Sequence, residues 1–127
     1  MSAVPATTLD DTVIAATMPD INEVKISGSV MDFPKIILTY DSHKVATFQI
    51  INLRVFNAQG RRREQLAKHY VCAWDKVVHL VQDLRPGNKI TVHGWLNTYT
   101  WIDKITGVRQ SRTEIVADTL VVHHLPQ

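Results

Sequence analysis

The stretch "HGWLNTYTWID", residues 93–103, places the three large aromatic side chains Trp95, Tyr99 and Trp101 within eleven residues. It continues a segment rich in β-branched and aromatic residues, which favours a strand. Alternate side chains of a strand point to opposite sides, so the three rings share one face with polar neighbours. That face holds Lys89, Thr91, His93, Trp95, Asn97, Tyr99, Trp101 and Asp103, and the other holds Ile90, Val92, Gly94, Leu96, Thr98, Thr100 and Ile102. We therefore predict that the aromatic face is exposed and that the second face fills the protein interior.

The spacing of these rings limits what they contact. At about 3.3 Å per residue, Trp95 and Trp101 lie roughly 20 Å apart, too far to line one small-molecule pocket. A long, thin ligand laid across the strand fits that spacing. Two alternatives stay open: a β-bulge would turn some of the rings inward, and Trp95 could pack in a subunit interface.

The pattern of the rest of the chain predicts a mostly-β domain. Short runs rich in Val, Ile and Thr alternate with frequent turn residues, and these runs predict strands near 23–31, 36–40, 44–56, 66–74, 89–102 and 109–123. Within "DKVVHLVQDLRPG", residues Val77, Leu80, Val81 and Leu84 line one helical face, with Asp75 as a cap and Pro86-Gly87 as the end. This order predicts a five-stranded Greek-key barrel, the OB-fold, with one short helix between its third and fourth strands.

Composition sets the domain organisation and excludes several classes of protein. We predict a flexible acidic extension over 1–21 and one folded domain over 22–125. No run of about 18 apolar residues predicts a membrane helix, and the N-terminus lacks the features of a signal or transit peptide. We predict that the single cysteine, Cys72, is buried, because it lies within the apolar run "YVCAW". Scattered histidines and one cysteine predict no catalytic site, metal site or cofactor.

Charge is distributed unevenly along the chain. Residues 1–53 carry a net charge of −3, whereas residues 54–112, which contain the aromatic stretch, carry +7. Arg61, Arg62 and Arg63 follow Gly60, in a predicted loop between two strands. Rows of rings amid positive charge suit a single nucleic-acid strand, whose bases stack on the rings and whose phosphates meet the cations.

Several segments resemble the bacterial-type single-stranded DNA-binding protein family, over about residues 24–122. The similar segments are "VKISGSV" with Gly28, "KVATFQI", "HYVCAWDK" with His69, and "LRPGNKITVHGWLNTYTWID". Gly87 and Gly94, with Trp101 seven positions after the second glycine, form the most specific part of the match. Asp75 departs from the pattern, because a glycine is typical there.

The resemblance implies that aromatic residues on three strands stack on DNA bases, at Phe56, Trp74 and Trp101 here. Adding the alternation and the charges, we predict a nucleic-acid site of Phe56, Arg61, Arg62, Arg63, Lys68, Tyr70, Trp74, Trp95, Tyr99, Trp101, Lys104, Arg109 and Arg112. The resemblance also implies a homo-oligomer, with a tetramer favoured over a dimer. It further implies action in the cytoplasm at the nucleoid, although an organelle or phage origin stays open.

Other readings stay open at this point. The family's acidic C-terminal tail, which recruits replication and repair proteins, is not seen in "VVHHLPQ", so a primosomal-type protein of the same fold is an alternative. RNA binding is another, because only the resemblance favours DNA. A third is a protein-interaction barrel whose exposed rings meet another protein, and its binding would respond weakly to salt.

Overall fold

The computed structural model describes residues 17–123, and residues 24–123 form six strands and one short helical segment. The strands are β1 (Val24–Val30), β2 (Lys35–Leu38), β3 (Lys44–Ala58), β4 (Arg61–Trp74), β5 (Lys89–Ile102) and β6 (Arg109–His123). Between β4 and β5, a 3-10 turn (Asp75–Val77) leads into helix α1 (Val78–Val81). Residues 1–16 and 124–127 lie outside the described residues, so the predicted division into 1–21 and 22–125 stays a prediction.

The strands close into a five-stranded barrel, as predicted. They follow the order β1-β5-β6-β4-β3-β2, and β1 also pairs with β3, so that β1, β5, β6, β4 and β3 form a ring with β2 on its outside. All pairs are antiparallel except β4 and β6, which run parallel over three residue pairs. The short helical segment lies between the third and fourth barrel strands along the chain, so the predicted OB-fold is confirmed.

The barrel interior is apolar and follows the two-residue period of its strands. Its buried residues are Val30, Ala46, Phe48, Ile50, Val71, Ala73, Val78, Val81, Leu84, Ile90, Val92, Ile115, Ala117 and Leu120. Even-numbered residues of β3 and odd-numbered residues of β4 therefore point inward. The intervening residues, including Val45, Thr47 and Trp74, point outward from the same strands.

Two long hairpins extend beyond the barrel. After Gly94, β5 pairs only with β6, and we call residues 95–113 the β5–β6 arm. Residues 52–68 of β3 and β4 pair only with each other, and we call this segment the β3–β4 arm.

The β5–β6 arm corrects one prediction. Only Ile90 and Val92 of the predicted inner face are fully buried, whereas Leu96 is 47% exposed and Ile102 is 64% exposed. Thr98 and Thr100 are exposed as well. The alternation is regular, but no second layer covers this face once the strands leave the barrel.

The arginine run also corrects a prediction, because it lies in a strand. Gln59 and Gly60, with φ of +52° and +73°, form the turn. Ala58 pairs with Arg61 and Phe56 pairs with Arg63. Two central residues with positive φ make the tight hairpin that matches the twist of paired strands. Arg61, Arg62 and Arg63 thus begin β4 and do not form a loop.

The helix is shorter than predicted and has a different buried face. It ends at Val81, before Pro86-Gly87, and Asp75 makes no capping hydrogen bond. Leu80 is 44% exposed, whereas Val78 is buried beside Val81 and Leu84. The 3-10 turn that precedes α1 advances by three residues per turn, so the continuous α-helical period assumed for the prediction does not hold. In the part of the chain that the structure describes, no helix has the length and apolarity to cross a membrane.

Candidate nucleic-acid interface

An open groove lies on the outer surface where four strands meet. It has a volume of about 360 Å³ and is lined by Val45, Thr47, Cys72, Trp74, Tyr99, Trp101, Arg112 and Glu114. These residues lie at outward positions of β3, β4, β5 and β6, which are neighbours around the barrel. We call this feature the aromatic groove. It brings together four of the predicted site residues: Trp74, Tyr99, Trp101 and Arg112.

The rings of the groove are accessible to a ligand. Trp101 is 46% exposed, and Trp74 and Tyr99 are each 37% exposed. The exposure predicted for Trp101 and Tyr99 from alternation is therefore confirmed. Trp74 reaches the groove from β4, where it pairs with Val45 of β3. Half-exposed rings on β4 and β5, the two strands that flank β6, provide flat apolar surfaces that suit the stacking of planar groups.

The floor of the groove is closed by two buried residues, Cys72 and Glu114. Cys72 is 1% exposed, which confirms the prediction of a buried cysteine, and Glu114 is 5% exposed. Burial, together with the neighbouring Glu114 carboxylate, raises the pKa of the Cys72 thiol to about 12. The thiol thus stays protonated at neutral pH. Burial also raises the pKa of Tyr99, so its hydroxyl stays neutral and the groove wall carries no charge there.

Arg112 is the cation of the groove, and it is already paired. Its Nε and Nη2 groups donate to the same Glu114 oxygen, Oε1, at 3.1 Å and 2.7 Å. Its guanidinium carbon also lies 4.4 Å from the centre of the Tyr70 ring. Tyr70 is therefore adjacent to the groove beneath Arg112. Its own ring is 38% exposed.

Other predicted residues share the outward face without lining the groove. Trp95 is 39% exposed and has the same orientation along β5 as Tyr99, but it pairs with Val116 nearer the barrel end of the strand. Lys68 is exposed on β4, two residues before Tyr70. Both extend the surface around the groove.

The β3–β4 arm holds a separate group of predicted residues. Phe56 is half-buried, and the guanidinium carbon of Arg54 lies 4.4 Å from its ring centre. The alternation of β3 places Phe56 on the opposite face from Val45 and Thr47, and it is not brought together with Trp74. Arg61 and Arg63 pair with residues of that same opposite face. Arg62 points the other way and forms an exposed ion pair with Glu64 at 2.8 Å.

The last two predicted cations lie at the tip of the β5–β6 arm. Lys104 lies in the turn, and Arg109 begins β6 opposite Ile102. The backbone N–H groups of Thr106 and Ile105 donate to the Asp103 carboxylate and hold its pKa below the usual value. Asp103 therefore orders the turn that carries Lys104, and both cations are exposed at the end of the arm.

Sequence reasoning missed four residues of the groove: Val45, Thr47, Cys72 and Glu114. Alternation along β4 did place Cys72 on the face of Trp74, and Glu114 lies two residues after Arg112. The alternation therefore indicated that Cys72 points to the same side as Trp74 and Glu114 to the same side as Arg112. The alternation provided no comparable indication for Val45 and Thr47, because they line the groove only when β3 lies beside β4. Among residues 17–123, no group of three or more metal-ligating side chains is clustered.

Comparison with known proteins identifies the family. Residues 21–123 match the model of the Single-strand binding protein family. The chain belongs to this family. The resemblance stated from the sequence is thus confirmed over most of the chain.

Individual relatives agree with this assignment. The chain is 29% identical over 98 residues to Single-stranded DNA-binding protein 1 of Chlorobaculum tepidum, a match covering 76% of this chain and 60% of that relative. The match thus spans about three-fifths of the length of that relative.

Two solved structures share the fold of this family member. One is described as a Plasmodium falciparum SSB complex with ssDNA, and it superposes with a TM-score of 0.73 at 22% identity, covering 85% of this chain and 99% of the other. The second is a deletion mutant of the single-stranded DNA binding protein from Thermus aquaticus, with a TM-score of 0.72 at 21% identity, covering 82% and 51% of the two chains.

Proposed function

We propose that this chain binds single-stranded DNA without sequence preference and protects it during replication, recombination or repair. The observation that carries the proposal is the aromatic groove, in which Trp74, Tyr99 and Trp101 are gathered from the two strands that flank β6. Every base has a flat π-face, so stacking on such rings tolerates any sequence and contributes about 1–3 kcal/mol per base. Family membership supports DNA as the ligand and binding without chemical turnover as the activity.

The two arms extend the proposed binding path beyond the groove. The β3–β4 arm adds Arg61 and Arg63 near Phe56, and the tip of the β5–β6 arm adds Lys104 and Arg109. Exposed cations along an extended surface attract the phosphates of a strand that leaves the groove, and they do so by releasing counterions. Trp95 and Lys68 are proposed as further contacts on the same outward face.

Binding of oligo-dT to the Trp101→Ala variant tests the proposal. Tryptophan fluorescence of the unaltered chain should be quenched by oligo-dT. The variant should lose about 1–3 kcal/mol of binding free energy, because one stacking surface is removed. Ile102→Ala is the matched control: it truncates an exposed neighbour that points to the opposite face of the same arm, and its affinity should be unchanged.

Three results would contradict the proposal. Normal affinity of folded Trp101→Ala would remove the groove from the site. An oligo-dT binding constant that does not change between low and high salt would contradict the proposed phosphate contacts, which weaken steeply with salt, and absence of oligo-dT binding would favour a protein-interaction surface. Competition between oligo-dT and oligo-U then distinguishes DNA from RNA as the preferred ligand.

We also propose that the chain acts as a homo-oligomer, with a tetramer favoured over a dimer. Family membership supports assembly, and so do the exposed apolar side chains beside the barrel. Leu38, in the edge strand β2, is 66% exposed, and Phe33, which lies just before β2, is 68% exposed. Ile36 and Ile37 of β2 are exposed as well, and clustered exposed apolar side chains are typical of interfaces between proteins.

A further inference from the structure

Glu114 lies beneath the aromatic groove and is the one buried charged residue within 17–123. A carboxylate removed from water costs several kcal/mol unless it is paired and hydrogen-bonded. Its charged partner is Arg112, through two hydrogen bonds to one carboxylate oxygen. The buried position of Glu114 therefore requires Arg112 to stay where it is.

The guanidinium of Arg112 is constrained in two ways. Its edge is held by Glu114, and it lies over the ring of Tyr70 at 4.4 Å. The side chain is nevertheless 43% exposed and lines the groove. Glu114 fixes one edge of the planar guanidinium, and Tyr70 covers one of its faces. The other face is therefore open to a ligand in the groove.

The charge of Arg112 is largely offset by the same contact. A cation that binds a phosphate increases affinity by releasing a counterion from the nucleic acid. Arg112 already has a carboxylate 2.7 Å away, so a phosphate would have to compete with a buried anion that has no other charged partner. Stacking requires no such exchange, because a base lies against the guanidinium plane while the ion pair stays intact.

We infer that Arg112 acts as a stacking surface for a base and not as a phosphate ligand, and that Glu114 is the positioning residue that holds it in this role. The inference rests on the proposed binding of single-stranded DNA and assigns Arg112 a role different from that of the exposed cations on the arms.

Binding of oligo-dT measured across a salt series tests the inference with three variants. Arg112→Lys keeps the positive charge beside Glu114 but removes the plane, so affinity should fall about fivefold or more at every salt concentration with an unchanged salt slope. The double variant Arg112→Gln with Glu114→Gln removes the pair without leaving a buried charge, and it should behave in the same way.

The single variant Glu114→Gln should change the salt slope, which the other two variants leave unchanged. It releases the charge of Arg112, so the dependence of log K on log salt should become steeper by about 0.7, the value for one additional phosphate contact on a single strand. Thermal melting of each variant checks that it is folded, and the double variant keeps the test usable if Glu114→Gln does not fold.

The outcomes separate this inference from the proposed function. A salt slope that becomes shallower by about 0.7 in the double variant would show that Arg112 binds a phosphate and would overturn the inference. Unchanged affinity of Arg112→Lys would overturn the stacking role. Absence of oligo-dT binding by the unaltered chain would instead refute the proposed function itself.

Discussion

Asp75 shows how one side chain supports an unfavourable backbone conformation. It follows Trp74 directly and has a φ of +50°, a conformation that costs a non-glycine residue about 1–2 kcal/mol. Its carboxylate accepts a hydrogen bond from the backbone N–H of Lys44 at 3.2 Å and lies 3.0 Å from Nδ1 of His43. These contacts tie the end of β4 to the start of β3 beside the aromatic groove.

Substitutions at Asp75 should separate backbone strain from side-chain contacts. Asp75→Ala loses the contacts and keeps the strain, so the free energy of unfolding should fall by about 1 kcal/mol, a modest value because the groups are half-exposed. Asp75→Gly loses the same contacts but adopts positive φ freely, and it should be about 1 kcal/mol more stable than the alanine variant. Urea unfolding measures both.

The exposed Asp83 provides the control for this comparison. Asp83→Ala removes the carboxylate of a residue whose φ is not positive. The free energy of unfolding of this variant should therefore stay within about 0.5 kcal/mol of that of the unaltered chain. Equal stability of the alanine and glycine variants at position 75 would contradict the role of backbone strain.

Among the elements, the pairing of β5 with β6 depends on Gly94. The register shifts there: His93 pairs with Thr119 and Gly94 with Ala117, leaving Asp118 as an extra residue in β6. A Cβ atom at position 94 would lie 1.8 Å from the carbonyl oxygen of Val116. The two strands thus approach too closely for any side chain at the point where the β5–β6 arm leaves the barrel.

Gly94→Ala should therefore be strongly destabilising. The backbone of β6 must move to admit the methyl group, and we expect a loss of about 3 kcal/mol or more in the free energy of unfolding. Gly60→Ala is the matched control, because its position is open and only its φ of +73° is unfavourable; it should lose about 1–2 kcal/mol. Equal losses in urea unfolding would contradict the close approach.

At the scale of the whole molecule, a compact barrel carries two arms that have little core of their own. Exposed apolar side chains occur on the β3–β4 arm, where Leu53 and Leu66 pair across the strands, and around β2, where Tyr40 is fully exposed. Burying this surface against other copies of the chain would be favourable at about 25 cal/mol per Å².

The proposed assembly predicts the mass of the particle in solution. Sedimentation equilibrium should give four times the chain mass of 14.4 kDa, because burial of the exposed apolar surface favours association. A dilution series is the control, since dissociation at low concentration should be reversible. A mass equal to one chain at all micromolar concentrations would contradict the proposed oligomer.

The sequence by itself determined the order of the strands and the short helix, from which the OB-fold follows, although it placed Arg61, Arg62 and Arg63 in a loop and not in β4. It also determined the outward faces of the strands, which follow from the two-residue period, a local property, and alternation correctly placed Tyr99 and Trp101 outward. The same reasoning wrongly assigned Leu96 and Ile102 to the interior, because burial requires a covering layer that alternation does not describe.

Tertiary structure alone decided which outward residues share a site. Trp74 and Trp101 line one groove because β4 and β5 both flank β6 in the closed barrel, whereas Phe56 is separated from them by its position on the other face of β3. Glu114 is buried beneath Arg112 because its part of β6 lies between those two strands, opposite Tyr70 on β4 and Asn97 on β5. Contacts between distant segments depend on how the barrel closes, and barrel closure is set by the packing of all five strands together.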